Sequence, residues 1–145
     1  MADMKDMTND PLSVSLKAPA QVTADGYSKY IDAAGLVGLK IVVAAKAATA
    51  DSSNYFTPKV YGTNSTSPGT FSNYTVCAST ELVGAFSAIN STDDYLDSVS
   101  IKQPLYRYYC VFLDETSTAD AVIGVSAECS GRHQPLSSVT TGAVS

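Results

Sequence analysis

Few residues in this chain are equipped for chemistry. The one histidine, His133, follows Gly131 and Arg132 at the end of a strand pattern, with no acid beside it to orient a base. It reads as a surface side chain, and a single imidazole excludes metal sites built on several. The three cysteines, Cys77, Cys110 and Cys129, show no Cys-x-x-Cys spacing. Cys110 and Cys129 fall inside strand patterns, where free thiols act as small buried hydrophobes. A disulfide between them requires the two strands to lie suitably apposed. Asp93, Asp94 and Asp97 crowd carboxylates together, but not at calcium-loop spacing, and they read as a solvated loop tip. A glycosidase-type carboxylate pair would lack its usual stacking partner, because the chain has no tryptophan. Neither a phosphate-cradling glycine loop nor a nucleophile elbow occurs. These residue types point away from an enzyme and imply no catalytic residue, no cofactor and no metal.

The charge pattern narrows the partners. Net charge is −5 and the nine basic residues are scattered singly, without the stripe that phosphates demand, so no nucleic acid is expected. No run reaches the length of a membrane-spanning helix, and the first residues lack the apolar core of a secretory signal. Without one, the sequons at Asn64, Asn73 and Asn90 should stay unglycosylated. Charged residues are only 16% against 45% hydrophobic, so serine, threonine and asparagine must supply the surface polarity. Such a surface resists association poorly and suits a protein that lives inside an assembly.

What would position these residues is a set of short strands. Residues 104–114 hold the densest aromatic and β-branched run. Period two places Leu105, Arg107, Tyr109, Val111 and Leu113 on one face, and Tyr106, Tyr108, Cys110 and Phe112 on the other. Both faces are largely apolar, which marks a central strand covered on both sides by core, or by core and a partner. Residues 39–48 alternate Leu39, Ile41, Val43 and Ala45 against Lys40, Val42, Ala44 and Lys46. Residues 121–130 alternate Ala121, Ile123, Val125, Ala127 and Cys129 in the same way. Shorter strands are expected at 13–16, 27–32, 55–62, 71–78 and 95–102, with Pro58 marking an edge or bulge. One helical turn is expected near Ser79 or Thr80, and a long hairpin loop at 63–70. About eight short strands without a long helix predict an all-β fold, an antiparallel β-sandwich of jelly-roll type. Residues 13–130 form that domain, between a flexible N-terminal arm at 1–12 and a C-terminal tail at 131–145.

Several short stretches then carry a resemblance. They are the strand at 38–48; Phe56, Thr57, Pro58, Lys59 and Val60; Gly69, Thr70 and Phe71; and the run from Glu81 to Phe86. Arg107 and Tyr108 follow, then the strand Ala121, Val122, Ile123, Gly124 and Val125, ending near Arg132 and His133. Together they resemble small virion proteins of tailed bacteriophages, often encoded close to the major capsid protein. The likeness spans roughly residues 30–135. The chain departs from that pattern in two places. Cys110 stands near a position where such proteins often carry a second arginine, and the loop at 64–70 lacks their acidic run.

The resemblance implies a capsid decoration (cement) protein on the outside of a phage head. It implies the major capsid protein as partner, a homo-oligomer with a trimer favoured, and assembly in the host cytoplasm. Terminal arms would then order on the shell, and tyrosines would serve a half-wet interface. Partner contacts are therefore expected at Met1, Met4, Met7, Pro11 and Leu12, and at Tyr106 and Tyr108. The alternative is a tail, fibre or spike module gripping a host-surface polysaccharide through the loops at 63–70 and 90–94.

Overall fold

A computed structural model describes residues 12–131 and 138–145. The two strongest alternating runs become its two longest described strands. β4 spans Leu36–Thr49 and β10 spans Asp120–Gly131, paired antiparallel almost throughout. Their core-facing residues are those of the period-two reading. Leu39, Ile41 and Val43 of β4 and Ala121, Ile123, Val125, Ala127 and Cys129 of β10 are all buried.

The remaining strands are β1 (Leu12–Val22), β2 (Gly26–Tyr27), β3 (Tyr30–Asp32), β5 (Tyr55–Thr63), β6 (Thr75–Val76), β7 (Leu82–Val83), β8 (Asp94–Ile101), β9 (Tyr108–Thr116) and β11 (Thr141–Gly142). They form two antiparallel sheets, ordered β1-β10-β4-β8-β7 and β11-β3-β9-β5-β6, with β2 also on β9. Set aside the two-residue pieces β7 and β11, and join β2 to β3 as one broken strand. The chain then crosses between the sheets in the order that two interlocking Greek keys produce, which is a jelly roll. The break between β2 and β3 is satisfied locally. The Ser28 N–H donates to the Val111 carbonyl at 2.9 Å, and the Ser28 hydroxyl accepts the Val111 N–H at 2.9 Å.

One apolar core fills the space between the sheets. Ile31, Phe56, Val60, Tyr109, Val111 and Leu113 from the second sheet meet the β4, β8 and β10 residues of the first. Pro58 sits on β5 where that strand pairs only with β9, so its missing N–H leaves no ladder partner unpaired. Both outermost strands on that side, β6 and β7, are two residues long, which limits edge-to-edge pairing.

Four expectations need correction. The central strand starts at Tyr108, not near Pro104. The Tyr109 hydroxyl accepts the N–H groups of Leu105 and Tyr106, at 3.0 and 3.1 Å, and so folds that segment back as a turn. Residues 71–78 are not one strand. Phe71–Asn73 is a 3-10 turn, followed only by β6, because Phe71 is drawn onto the sheet as a lid. Leu12 belongs to β1, opposite Cys129, and not to the arm. The tail at 131–145, expected as a loose arm, returns to the sandwich over its described residues 138–145. β11 pairs with β3, the Ser145 N–H donates to the Gly69 carbonyl at 2.9 Å, and the Phe71 N–H donates to the Ser145 carbonyl at 3.0 Å.

Candidate interaction surface

The described acidic residues that could do chemistry are held apart, each with a structural partner. Asp94 pairs with Lys46 at 3.2 Å. Asp97 accepts the Ser87 N–H at 3.0 Å, and Asp93 bonds only within its own turn to Ser91. Among the described residues no three metal-binding side chains converge. An open hollow at one end of the sandwich is lined by Asp51, Glu115 and Asp120. Each of these carboxylates is engaged: Asp51 by the Ser53 and Asn54 N–H groups, Glu115 by the Ala119 N–H, and Asp120 by the Gln21 amide. The backbone N–H of Ser53, with Asn54, lowers the Asp51 pKa. The three thiols are free and buried. Burial pushes Cys77 and Cys110 up to about 12 and Cys129 to about 11, so they stay protonated near neutrality. Cys110 and Cys129 lie on strands of different sheets, which separates them as disulfide partners.

Of the expected contact residues, Met1, Met4, Met7 and Pro11 lie outside the described residues, as does His133. Leu12 is half-buried at the start of β1. Tyr106 and Tyr108 do not share a strand face. The Tyr106 ring occupies the space a side chain at Gly62 would fill, since a Cβ there would come within 2.3 Å of the ring. It meets Tyr109 edge-on, with centroids 5.9 Å apart. Tyr108 stands edge-on to Tyr30 at 5.4 Å, with the Arg107 guanidinium 5.2 Å from its ring centre. Asp32 holds that guanidinium at 3.2 Å. Both tyrosines are half-buried and work within the fold, keeping only part of their surface for a partner.

The two outer faces of the sandwich differ sharply. On the second sheet, outward-pointing Tyr61, Cys110 and Phe112 are roofed by the chain itself. Phe71 packs on Tyr27, Tyr61, Phe112 and Tyr74, with centroids 4.4 to 6.0 Å apart. The roof is tied down where the Tyr74 hydroxyl donates to the Pro68 carbonyl at 2.7 Å and Thr63 Oγ1 donates to the Asn73 carbonyl at 2.8 Å. Cys110 is thereby fully buried although it points away from the core. The Lys59–Asp114 pair, at 2.7 Å, carries charge across this face, and that hydrogen bond raises the Lys59 pKa.

No described segment roofs the first sheet. Its outward residues follow from the register across β1, β10, β4 and β8. Two charged rows bound the face. One is Ser13, Glu128, Lys40 and Ser100, and the other is Gln21, Val122, Lys46 and Asp94. Between them lie Ser15, Ser126, Val42 and Ser98, and then Gly124, Ala44 and Leu96. Pro19 completes this last row, its ring 3.0 Å from where a Gly124 Cβ would stand. The centre is therefore small and nearly flat, with Lys17 the one charge among these residues, at its β1 edge. Leu96 is 76% exposed and Val122 45%. A shallow, mostly apolar hollow of about 180 Å³ runs beside Lys17, Pro19, Val42, Ala44 and Gly124. A centre poor in charge inside a charged rim is the layout of a protein contact site. The sequence carried its signal in Val42 and Ala44, apolar residues on the outward side of a strand whose other face was already core.

No protein-family model matches the chain, and no curated protein is significantly similar to it.

Proposed function

We propose that this is a virion structural protein, a decoration protein that binds the outside of a tailed-phage head and stabilises the lattice of its major capsid protein. The observation that carries this reading is the outer face of the first sheet, which no described segment covers, in a chain whose thiols are buried and whose Asp51, Asp97, Glu115 and Asp120 carboxylates are engaged internally. A protein built this way works through contact area. Bridging several shell subunits makes their separation require many contacts to break together, which stabilises the shell without a covalent step. The sparse charge of the surface, at 16% of residues, suits extended protein contact. The protein self-associates, meets its shell partner in the host cytoplasm and remains on the virion exterior. The sandwich itself is not the argument, since one fold hosts many functions.

The test is to purify particles from a culture producing the protein and measure its ratio to the main shell subunit. A constant ratio on intact heads, with heads lacking the protein opening at lower temperature, is the expected result. Its absence from purified heads would overturn the proposal. Its recovery with tails, together with polysaccharide binding by the isolated chain, would replace it with the receptor-binding reading.

A further inference from the structure

We infer that a second copy of this chain docks on the bare face of the first sheet, about a two-fold axis running parallel to the strands between β10 and β4. The virion reading rests on the same face, so the dimer is the form of the free protein and yields that face when the shell takes it. Such an axis lays each row of side chains against the same row of the second copy in reverse order. Glu128 then faces Lys40 of the second copy, and Lys40 faces its Glu128, because the two occupy the middle places of one row. In the opposite rim row, Gln21, its amide held by Asp120, faces the second copy's Asp94, and Val122 faces its Lys46. In the central row, Leu96 falls over the other copy's Pro19, at the edge of the hollow beside Gly124. The most exposed leucine among the described residues thus meets a mostly apolar recess, with Lys17 at its rim.

The charges also select this axis over its rival. A two-fold axis running across the strands would set Lys40 against Lys46 of the second copy, like charge on like. The favoured contact is isologous, so each interaction occurs twice and the assembly closes at two. Aligned sheet packing keeps strand directions within about 30°, so rows next to the axis stay opposed. Gly124 and Ala44 near the axis let the backbones approach closely. Strands about 4.8 Å apart and about 3.4 Å per residue give a flat footprint of roughly 500 Å² per copy. That falls short of the ~800 Å² per partner of a standard interface, so the dimer should dissociate at micromolar concentration.

Sedimentation velocity of the full chain, from low micromolar to several hundred micromolar, tests this directly. The expected result is a reversible monomer–dimer equilibrium. Leu96→Arg should weaken it by about 100-fold, through a charge forced into the Pro19–Gly124 recess. Lys40→Glu and Glu128→Lys should each weaken it about tenfold, and the double swap should return to within about threefold of wild type. Thermal melts of dilute protein verify that each variant folds. Should Leu96→Arg fail to fold, the charge series decides alone. A chain that stays monomeric throughout, forms the trimer implied by the phage resemblance, or dimerises indifferently to these substitutions would overturn the inference. So would a double swap that fails to recover. Particle occupancy is a separate measurement, so loss of the dimer and loss of the shell role can be told apart.

Discussion

Phe71→Ala removes the centre of the roof over the second sheet, and its cost follows from what the ring touches. Truncating a fully buried phenylalanine costs about 3–5 kcal/mol. Phe71 is half-buried, so roughly half that transfer term applies. Its four aromatic neighbours add directional contacts of about 0.5–1.5 kcal/mol each, which overlap and do not sum. The expected loss is about 2–3 kcal/mol, a substantial part of a stability of about 5–15 kcal/mol. In a domain of this size that lowers the melting temperature by about 6–12 °C. Urea titration followed by tyrosine emission is the natural assay, because the chain has nine tyrosines and no tryptophan. The near-ultraviolet circular dichroism of those tyrosines should fall at the same time. The C-terminal segment should also become easier to digest with carboxypeptidase, because Phe71 and Gly69 hold Ser145 by its backbone. Val83→Ala serves as the control. That side chain is 54% exposed on a two-residue edge strand, so its removal should stay within about 0.5 kcal/mol. A Phe71 cost below about 1 kcal/mol, or one no larger than the control, would refute the claim that the aromatic lid is a stabilising part of the sandwich.

Four further outcomes are expected. Gly62→Ala places a Cβ within 2.3 Å of the Tyr106 ring and should cost about 1–3 kcal/mol, with Tyr106→Ala in the same chain recovering part of it in a double-mutant cycle. The thiols of Cys77, Cys110 and Cys129 ionise only near pH 11 to 12 when folded, so a thiol reagent at pH 8 should label them slowly until denaturant is added. Their raised folded values make the stability contribution complete below the unfolded thiol value and progressively lost as pH rises towards 11 and above. Urea midpoints measured between pH 7 and 10 should therefore fall at the alkaline end, and less steeply in a Cys129→Ala variant. The Asp51 carboxylate has the opposite sign. Its folded pKa is lowered, so its contribution is present above the ordinary aspartate value and lost as pH falls through the folded one. The stability gap between wild type and Asp51→Asn should accordingly close on acidification below about pH 4; a gap unchanged by acid would count against the turn's hydrogen bonds.

Much of the fold was legible because burial imposes a period. The alternations around Ile41 and Val43, and around Ile123 and Val125, can be satisfied only by strands with one face on a core, and those faces are buried as expected. The doubly apolar run after Pro104 was legible as a central strand for the same reason, and β9 does lie between β3 and β5. Its true start was not legible. The turn at Leu105 and Tyr106 depends on the hydroxyl of Tyr109, and no local preference announces that bond. The aromatic residues at 71–78 read as a strand because Phe71, Tyr74 and Val76 suit one. Sequence alone could not reveal that Phe71 lands on Tyr27 and Phe112, far away along the chain.

The candidate surface divides along the same line. The amino-acid order by itself determined an all-sheet chain, a sparse complement of charge and the outward placement of Val42 and Ala44, since each depends only on composition or on neighbours two residues apart. Which of the two outer faces would be covered was a tertiary decision. It rests on contacts between Phe71 and rings on β2, β5 and β9, and on the return of Ser145 to Gly69. The grouping of Pro19, Gly124, Ala44 and Leu96 was likewise decided only when four strands far apart in sequence aligned in register, because hydrogen-bonded ladders, and not chain proximity, set which side chains stand side by side.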